Sequence, residues 1–207
     1  MNRSLVIAAT LALGAAPAFA KPAHYEIDPA HSSAEFVVRH MEVSNVRGQF
    51  TKVSGSATFD PENPANDSVE ATVDATTINT HEEKRDAHLK SPDFFDVAKF
   101  PTLTFKSKKV WKDGGRLKMT GDLTMHGVTK EVTWMLEGPS KPQKTPWGNT
   151  VVGVTAVTKV NRGDFGLKWN KAIEGGNVVG EEVNIGIEVE MTEQAPKSAA
   201  AAPKPAK

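Results

Sequence analysis

The 207 residues carry 25 basic and 25 acidic side chains, a formal net charge of zero, 39% apolar content and no cysteine. That balance excludes a nucleic-acid clamp, which needs a concentrated basic face, and no apolar run reaches the roughly 18 residues of a transmembrane helix. Without disulfides the fold must be held by its core alone.

Residues 1–20 read as a secretory leader. Arg3 supplies a positive start, Leu5 to Ala16 is almost wholly apolar, and Ala18-Phe19-Ala20 is a small-x-small cleavage signal. Residues 21–192 are expected to form one domain, and residues 193–207, made mostly of Ala, Pro and Lys, a disordered tail. Setting aside Arg3, Lys197, Lys204 and Lys207 from the basic count and Glu193 from the acidic one leaves the folded stretch three charges to the acidic side.

Within the domain the chain alternates with period two. Ala34, Phe36, Val38 and His40 share one face of a strand while Glu35, Val37, Arg39 and Met41 take the other. Val46 to Phe59 predicts two more strands, with Gly48 and Gly55 as places for a bend or bulge. Asp60-Pro61-Glu62-Asn63-Pro64 punctuates, and Val69, Ala71, Val73 and Ala75 restore the alternation as far as Ile78. Glu82 to Leu89 then predicts a short helix, stopped by Ser91-Pro92. Phe94 and Phe95 follow, flanked by Asp93 and Asp96, so at least one ring should turn inward while the carboxylates stay wet. Such an insert is expected to plug or roof one end of the sheet.

Leu103 and Phe105 reopen the strand pattern, Asp113-Gly114-Gly115 signals a hairpin, and Leu117, Met119, Gly121, Leu123 and Met125 share the next face. His126-Gly127 turns into Val128, Val132, Trp134 and Leu136. A loop from Pro139 to Pro146, a strand from Thr150 to Val160, a turn at Asn161 to Asp164 and a last strand bearing Val183, Ile185, Ile187, Val189 and Met191 complete the reading. Eight or nine antiparallel strands suit a sandwich or a closed barrel. Gly, Ala, Ser and Thr at inward positions favour a barrel with room in its lumen.

No catalytic constellation is visible. The six histidines, His24, His31, His40, His81, His88 and His126, form no H-E-x-x-H pattern and lie in different elements, and no G-x-S-x-G, Walker or G-x-G-x-x-G sequence occurs. No catalytic residue, metal or cofactor is therefore expected. A competing reading is a structural or stress-response module whose barrel is filled by its own side chains.

Tyr25 to Ser32, Phe36 to His40, Val46 to Phe50, Phe59 to Pro64, Arg85 to Leu89, Ser91 to Asp96, Phe100 to Thr102, Gly121 to Thr129 and Asn161 to Leu167 together resemble the YceI-like family over about Tyr25 to Met191. The resemblance implies an all-β, lipocalin-like, eight-stranded antiparallel barrel with a short helical insert. It also implies export to the periplasm and a binding or carrier role for a long apolar chain, a polyisoprenoid or similar amphiphilic lipid, held in the lumen. Two features depart from the family pattern: the Ala/Pro/Lys tail, and Lys168 to Asn170 leading into Gly175-Gly176. On this reading Phe36, Val38, His40, Phe50, Phe59, Val73, Ile78, His88, Leu89, Phe94, Phe95, Phe105, Leu123, Phe165 and Trp169 line the ligand site. Arg39 and Arg85, with His40 and His88, meet a head group at the rim. The alternatives beside it are an enzyme acting on an isoprenoid or other amphiphile with His40 or His88 as base, and a stress-response scavenger of a lipid or small molecule. The expected partner is the lipid, with no nucleic acid and no membrane span, and a homodimer is left open.

Overall fold

The computed structural model describes residues 22–195; the leader call and residues 196–207 of the tail call lie outside the described residues. The strands are β1 (Ala23–Ile27), β2 (Ser33–His40), β3 (Ser44–Phe50), β4 (Val53–Phe59), β5 (Ser68–Asp74), β6 (Ile78–Asn79), β7 (Thr102–Asp113), β8 (Arg116–Met125), β9 (Val128–Glu137), β10 (Gln143–Lys144), β11 (Thr150–Asn161), β12 (Ala172–Ile173), β13 (Gly176–Asn177) and β14 (Val179–Gln194), with one α-helix, α1 (Glu83–Lys90). Glu193 and Gln194 pair with Tyr25 and His24, so the last strand runs two residues past the boundary at 192 expected from composition.

Three pairs of short strands behave as single bent staves. β1 continues into β2 through a 3-10 turn at Pro29–His31, β3 passes into β4, and β5 reaches β6 through a 3-10 turn at Ala75–Thr77. Counted this way, β1/β2, β3/β4, β5/β6, β7, β8, β9, β11 and β14 make eight antiparallel staves, each paired to its neighbour in sequence. The sixteen-residue β14 closes the ring: β11 runs along one edge, and β2 and β1 share the other. Closure satisfies the edge hydrogen bonds that an open sheet would leave exposed.

Neither Gly48 nor Gly55 makes a bulge, because the registers run through both unbroken. Gly48 is small for another reason: a Cβ there would strike the Phe36 ring lying across it. Gly55, at φ +144°, brings its backbone against the Glu70 carbonyl, where a Cβ would collide. The irregularities fall instead between Ser107 and Lys109 in β7 and between Val179 and Val183 in β14.

The two ends of the barrel differ. At one, β7 turns into β8 through Gly114 and Gly115, both at positive φ, and Val110, Met119, Trp134 and Ala156 pack inside. The other end carries the β2–β3 hairpin, the segment 79–101 with α1, the His126-Gly127 turn, and the segment 161–179. The expected turn at Asn161 to Asp164 is a 3-10 helix, Arg162–Phe165, the Gly175-Gly176 loop is braced as the β12–β13 hairpin, and the expected Pro139–Pro146 loop contains β10. Glu82 caps α1 by accepting from the Lys84 N–H at 3.3 Å, and Ser91 ends it. Beyond it both Phe94 and Phe95 turn inward. The carboxylates do not both stay wet: Asp93 is exposed, but Asp96 is buried and bonded to Lys99 Nζ at 2.9 Å.

Candidate ligand cavity and its vestibule

Inward side chains of all eight staves surround a cavity of about 210 Å³. Of its lining residues only Glu35, Thr104 and Arg162 are polar. Small wall residues are not what makes the room. Ala34, Ala71 and Ala156 are the only ones with side chains no larger than a methyl group, and the wall is otherwise Phe, Val, Leu, Ile, Met and Trp. Gly48 and Gly121 release no space, since the rings of Phe36 and Phe105 lie where their Cβ atoms would be. Room remains because eight tilted staves closed on themselves enclose an interior just wide enough for side chains or one small ligand.

Phe36, Val38, Phe50, Phe59, Val73, Leu89, Phe94, Phe95, Phe105 and Leu123 all face this cavity. Ile78 and Phe165 do not border it: each is almost fully buried in packing between the wall and the segments covering the end. Both follow an element break, a 3-10 turn before Ile78 and a 3-10 helix at Phe165, where strand parity no longer says which way a side chain points. Ile27, Val53 and Leu167, which parity never singled out, do line the cavity.

A second cavity of about 420 Å³ adjoins the first, and Phe36, Val38, Leu89, Phe94 and Val179 border both. His40, His88, Trp169, Arg39 and Arg85 line this vestibule rather than the bore, together with Val46, Glu82, Lys84 and Val178. At the junction the rings of His88, Phe94 and Trp169 touch one another, with centroids 4.8 to 5.2 Å apart. His88 Nε2–H donates to Asp93 at 2.8 Å, which fixes the ring edge-on to both neighbours. Among the described residues no side-chain hydroxyl bonds to the ring of His40 or His88, so neither has an activated nucleophile beside it.

Arg162 is a cavity-lining residue that sequence reasoning missed. It is 6% exposed, and among the described residues it forms no ion pair with a carboxylate. Nε donates to Gly180 O at 2.9 Å, and Nη1 to Leu167 O at 2.5 Å and Trp169 O at 2.9 Å. Asn170 adds a second brace, accepting from the Val179 N–H at 3.0 Å and donating to its carbonyl at 2.7 Å. The irregular start of β14 and the loop carrying Trp169 are thereby held by side chains in place of ladder bonds. Burial pulls the guanidinium's pKa down, opposed by Glu181. An Arg between a turn-forming Asn and a Gly looks like a surface residue, and only its carbonyl neighbours, contributed by distant positions, reveal otherwise.

Sequence spacing separates the histidines, yet one of them meets two carboxylates in space. Asp28, His31 and Glu190 bring possible ligand atoms within 4.8 Å of one another on the surface, away from the bore. The pair inside it is already engaged: His31 Nδ1–H donates to Asp28 at 2.8 Å, and the other Asp28 oxygen caps the 3-10 turn through Ala30 N–H at 2.8 Å. The His31 bond holds the Asp28 carboxyl below its usual range, and the same bond raises His31. The group latches the bend between β1 and β2. Among the described residues no helix is long and apolar enough to cross a membrane.

The model of the YceI-like domain matches residues 25–191. Protein YceI of Escherichia coli O157:H7 is 38% identical over 197 residues, covering 94% of this chain and all of its own. The crystal structure of the Campylobacter jejuni YceI protein is 32% identical with a TM-score of 0.64, covering 76% of this chain and 90% of its own. A polyisoprenoid binding domain from Saccharophagus degradans, implicated in plant cell wall breakdown, shares the fold at 15% identity, with a TM-score of 0.60 over 82% of this chain and 98% of its own. With bent staves, a roofed end and an apolar interior accounted for, the chain belongs to the YceI-like family.

Proposed function

We propose that this protein is an exported, periplasmic binding protein that carries a single long apolar chain, polyisoprenoid or similar, without turnover. The observation that carries the reading is the continuity of an almost wholly apolar bore with a polar vestibule across five shared residues. An amphiphile fits that division, its tail in the bore and its head in the vestibule. The family and the polyisoprenoid-binding neighbour support it, and the leader-like residues 1–20 support the location.

The energetics suit a carrier. Burying one five-carbon unit contributes on the order of 3 to 4 kcal/mol before ordering costs. Ligands of this size realise about 0.3 kcal/mol per heavy atom. A twenty-carbon tail then binds with roughly 6 kcal/mol and a forty-carbon one with roughly 12, near nanomolar. Length of tail sets affinity, and the wall needs no catalytic group to hold it.

The test is to purify the protein from its native compartment, extract it with solvent and identify the lipid by mass spectrometry. Recovery of an unmodified long-chain lipid is expected. Protein that comes out empty and also ignores added prenyl chains would overturn the reading.

A further inference from the structure

Four ionised side chains line the vestibule: Arg39, Lys84, Arg85 and Glu82. Three are cations, and among the described residues none of the three forms an ion pair with a carboxylate. On the outer face of the barrel some cations are neutralised in pairs. There Lys106 bonds Glu70 at 2.7 Å, Lys108 bonds Asp122 at 2.6 Å and Lys159 bonds Glu182 at 2.8 Å.

The two guanidiniums are positioned by neutral acceptors. Arg85 Nε donates to Thr80 Oγ1 and its Nη2 to Thr80 O, both at 2.8 Å, which leaves Nη1 uncommitted. Arg39 Nη2 donates to Glu42 O at 2.8 Å and Nη1 to Asn45 Oδ1 at 3.4 Å, which leaves Nε uncommitted. Carbonyl, amide and hydroxyl oxygens fix the orientation of these groups, and the one carboxylate in this network, Asp86, reaches Arg85 only through the Thr80 hydroxyl, which donates to it at 2.5 Å. An excess of two positive charges thus borders a recess whose inner wall is apolar, and such walls concentrate the field. A guanidinium with free N–H groups matches the paired oxygens of a carboxylate or phosphate.

We infer that the vestibule is an anion site and that the cargo is an acidic amphiphile, its carboxylate or phosphate held by Arg39, Lys84 and Arg85. This rests on the proposed function and narrows it: a neutral alcohol would leave the cations unanswered. Glu82, the one carboxylate among the described residues that line the vestibule, opposes the head group and weakens its hold.

Matched pairs of probes test it: farnesyl monophosphate against farnesol, and oleate against oleyl alcohol, by calorimetry on delipidated full-length protein. Each acid is expected to bind about tenfold or more tighter than its alcohol. Raising salt from roughly 50 to 500 mM should weaken the acids alone. A preference shared by both acids marks a general anion site, and one confined to a single acid names the head group. Lys84→Gln and Arg85→Gln are each expected to cut the preference severalfold, read as the ratio of acid to alcohol affinity in the same variant. Glu82→Gln, which can still cap α1 through its amide oxygen, should tighten the acids severalfold, a gain that a merely structural role would not produce. Equal binding of acids and alcohols by the wild type, with no response to Glu82→Gln, would overturn the inference and leave the carrier intact. Failure of all four probes to bind would instead strike the carrier reading on which it depends.

Discussion

The two ends of the barrel solve the same problem with different material. At the β7–β8 end the wall closes itself: a two-residue glycine turn joins the strands, and Val110, Met119 and Trp134 from the staves fill the interior. At the vestibule end the staves stop short, and residues 79–101 and 161–179 supply the cover with Leu89, Phe94, Phe165 and Leu167. A wall that packs on itself has no part that could move without breaking ladder bonds. An inserted cover can carry polar groups and leave a path beside them. The vestibule lies at the covered end, where inserted segments join the strands in lining the cavity beside the bore.

The sharpest break in that comparison is expected from removing a ring from the cover and one from the bore. Phe165→Ala empties a site that is 2% exposed and packed on all sides, and should cost about 3 to 5 kcal/mol by denaturant unfolding. Phe105→Ala removes a ring already bordered by the cavity, and should cost about half as much while weakening ligand binding. Equal costs would mean that the bore is as solid as the cover.

Arg162→Met comes next. It keeps the apolar stem but strips the donors from the carbonyls of Leu167, Trp169 and Gly180, and a loss of about 2 to 4 kcal/mol is expected from orphaned buried acceptors. Because Trp169 touches His88 and Phe94, its fluorescence should change along with stability. An unchanged melting temperature would show that the loop is held without the arginine.

Ala71→Phe separates a hollow bore from a filled one. A ring built into free space should change stability by less than about 1 kcal/mol and abolish lipid binding, whereas in a filled interior overpacking would cost about 1 to 3 kcal/mol.

The smallest effect belongs to the surface latch at Asp28 and His31. Asp28's folded pKa is lowered, so its contribution is present above its unfolded pKa and lost as pH falls through the folded value. His31's is raised, so its contribution is present below its unfolded pKa and lost as pH rises through the folded value. The pair therefore supports the fold best in mildly acidic solution, between the two. His31→Gln should flatten that shallow optimum in melting temperature against pH, and an unchanged profile would remove the latch as its source.

Much of the wall could be read directly. Alternation placed Phe36 and Val38, Leu103 and Phe105, and Ile185 and Ile187 on the lumen side because a strand's side chains point to opposite faces in strict turn. Gly114-Gly115 and His126-Gly127 announced their turns because both pairs occupy positive φ. The motifs from Tyr25 to Leu167 placed the chain among YceI-like barrels, and they marked Arg39, Arg85, His40 and His88 singly as candidates for a head group.

What periodicity could not supply was which ends meet. The vestibule is assembled from residues 38–46, 82–94 and 169–179, and no local pattern records that these three segments converge. Nor does any local pattern reveal that Arg162 is buried beneath carbonyls from Leu167 to Gly180, or that the cavity survives despite large side chains in its wall. A sequence fixes the face of each strand through its alternating pattern. The bore, its mouth and the charge around it exist only once β14 reaches both β11 and β2 and closes the ring, because closure alone sets the distances between strand ends.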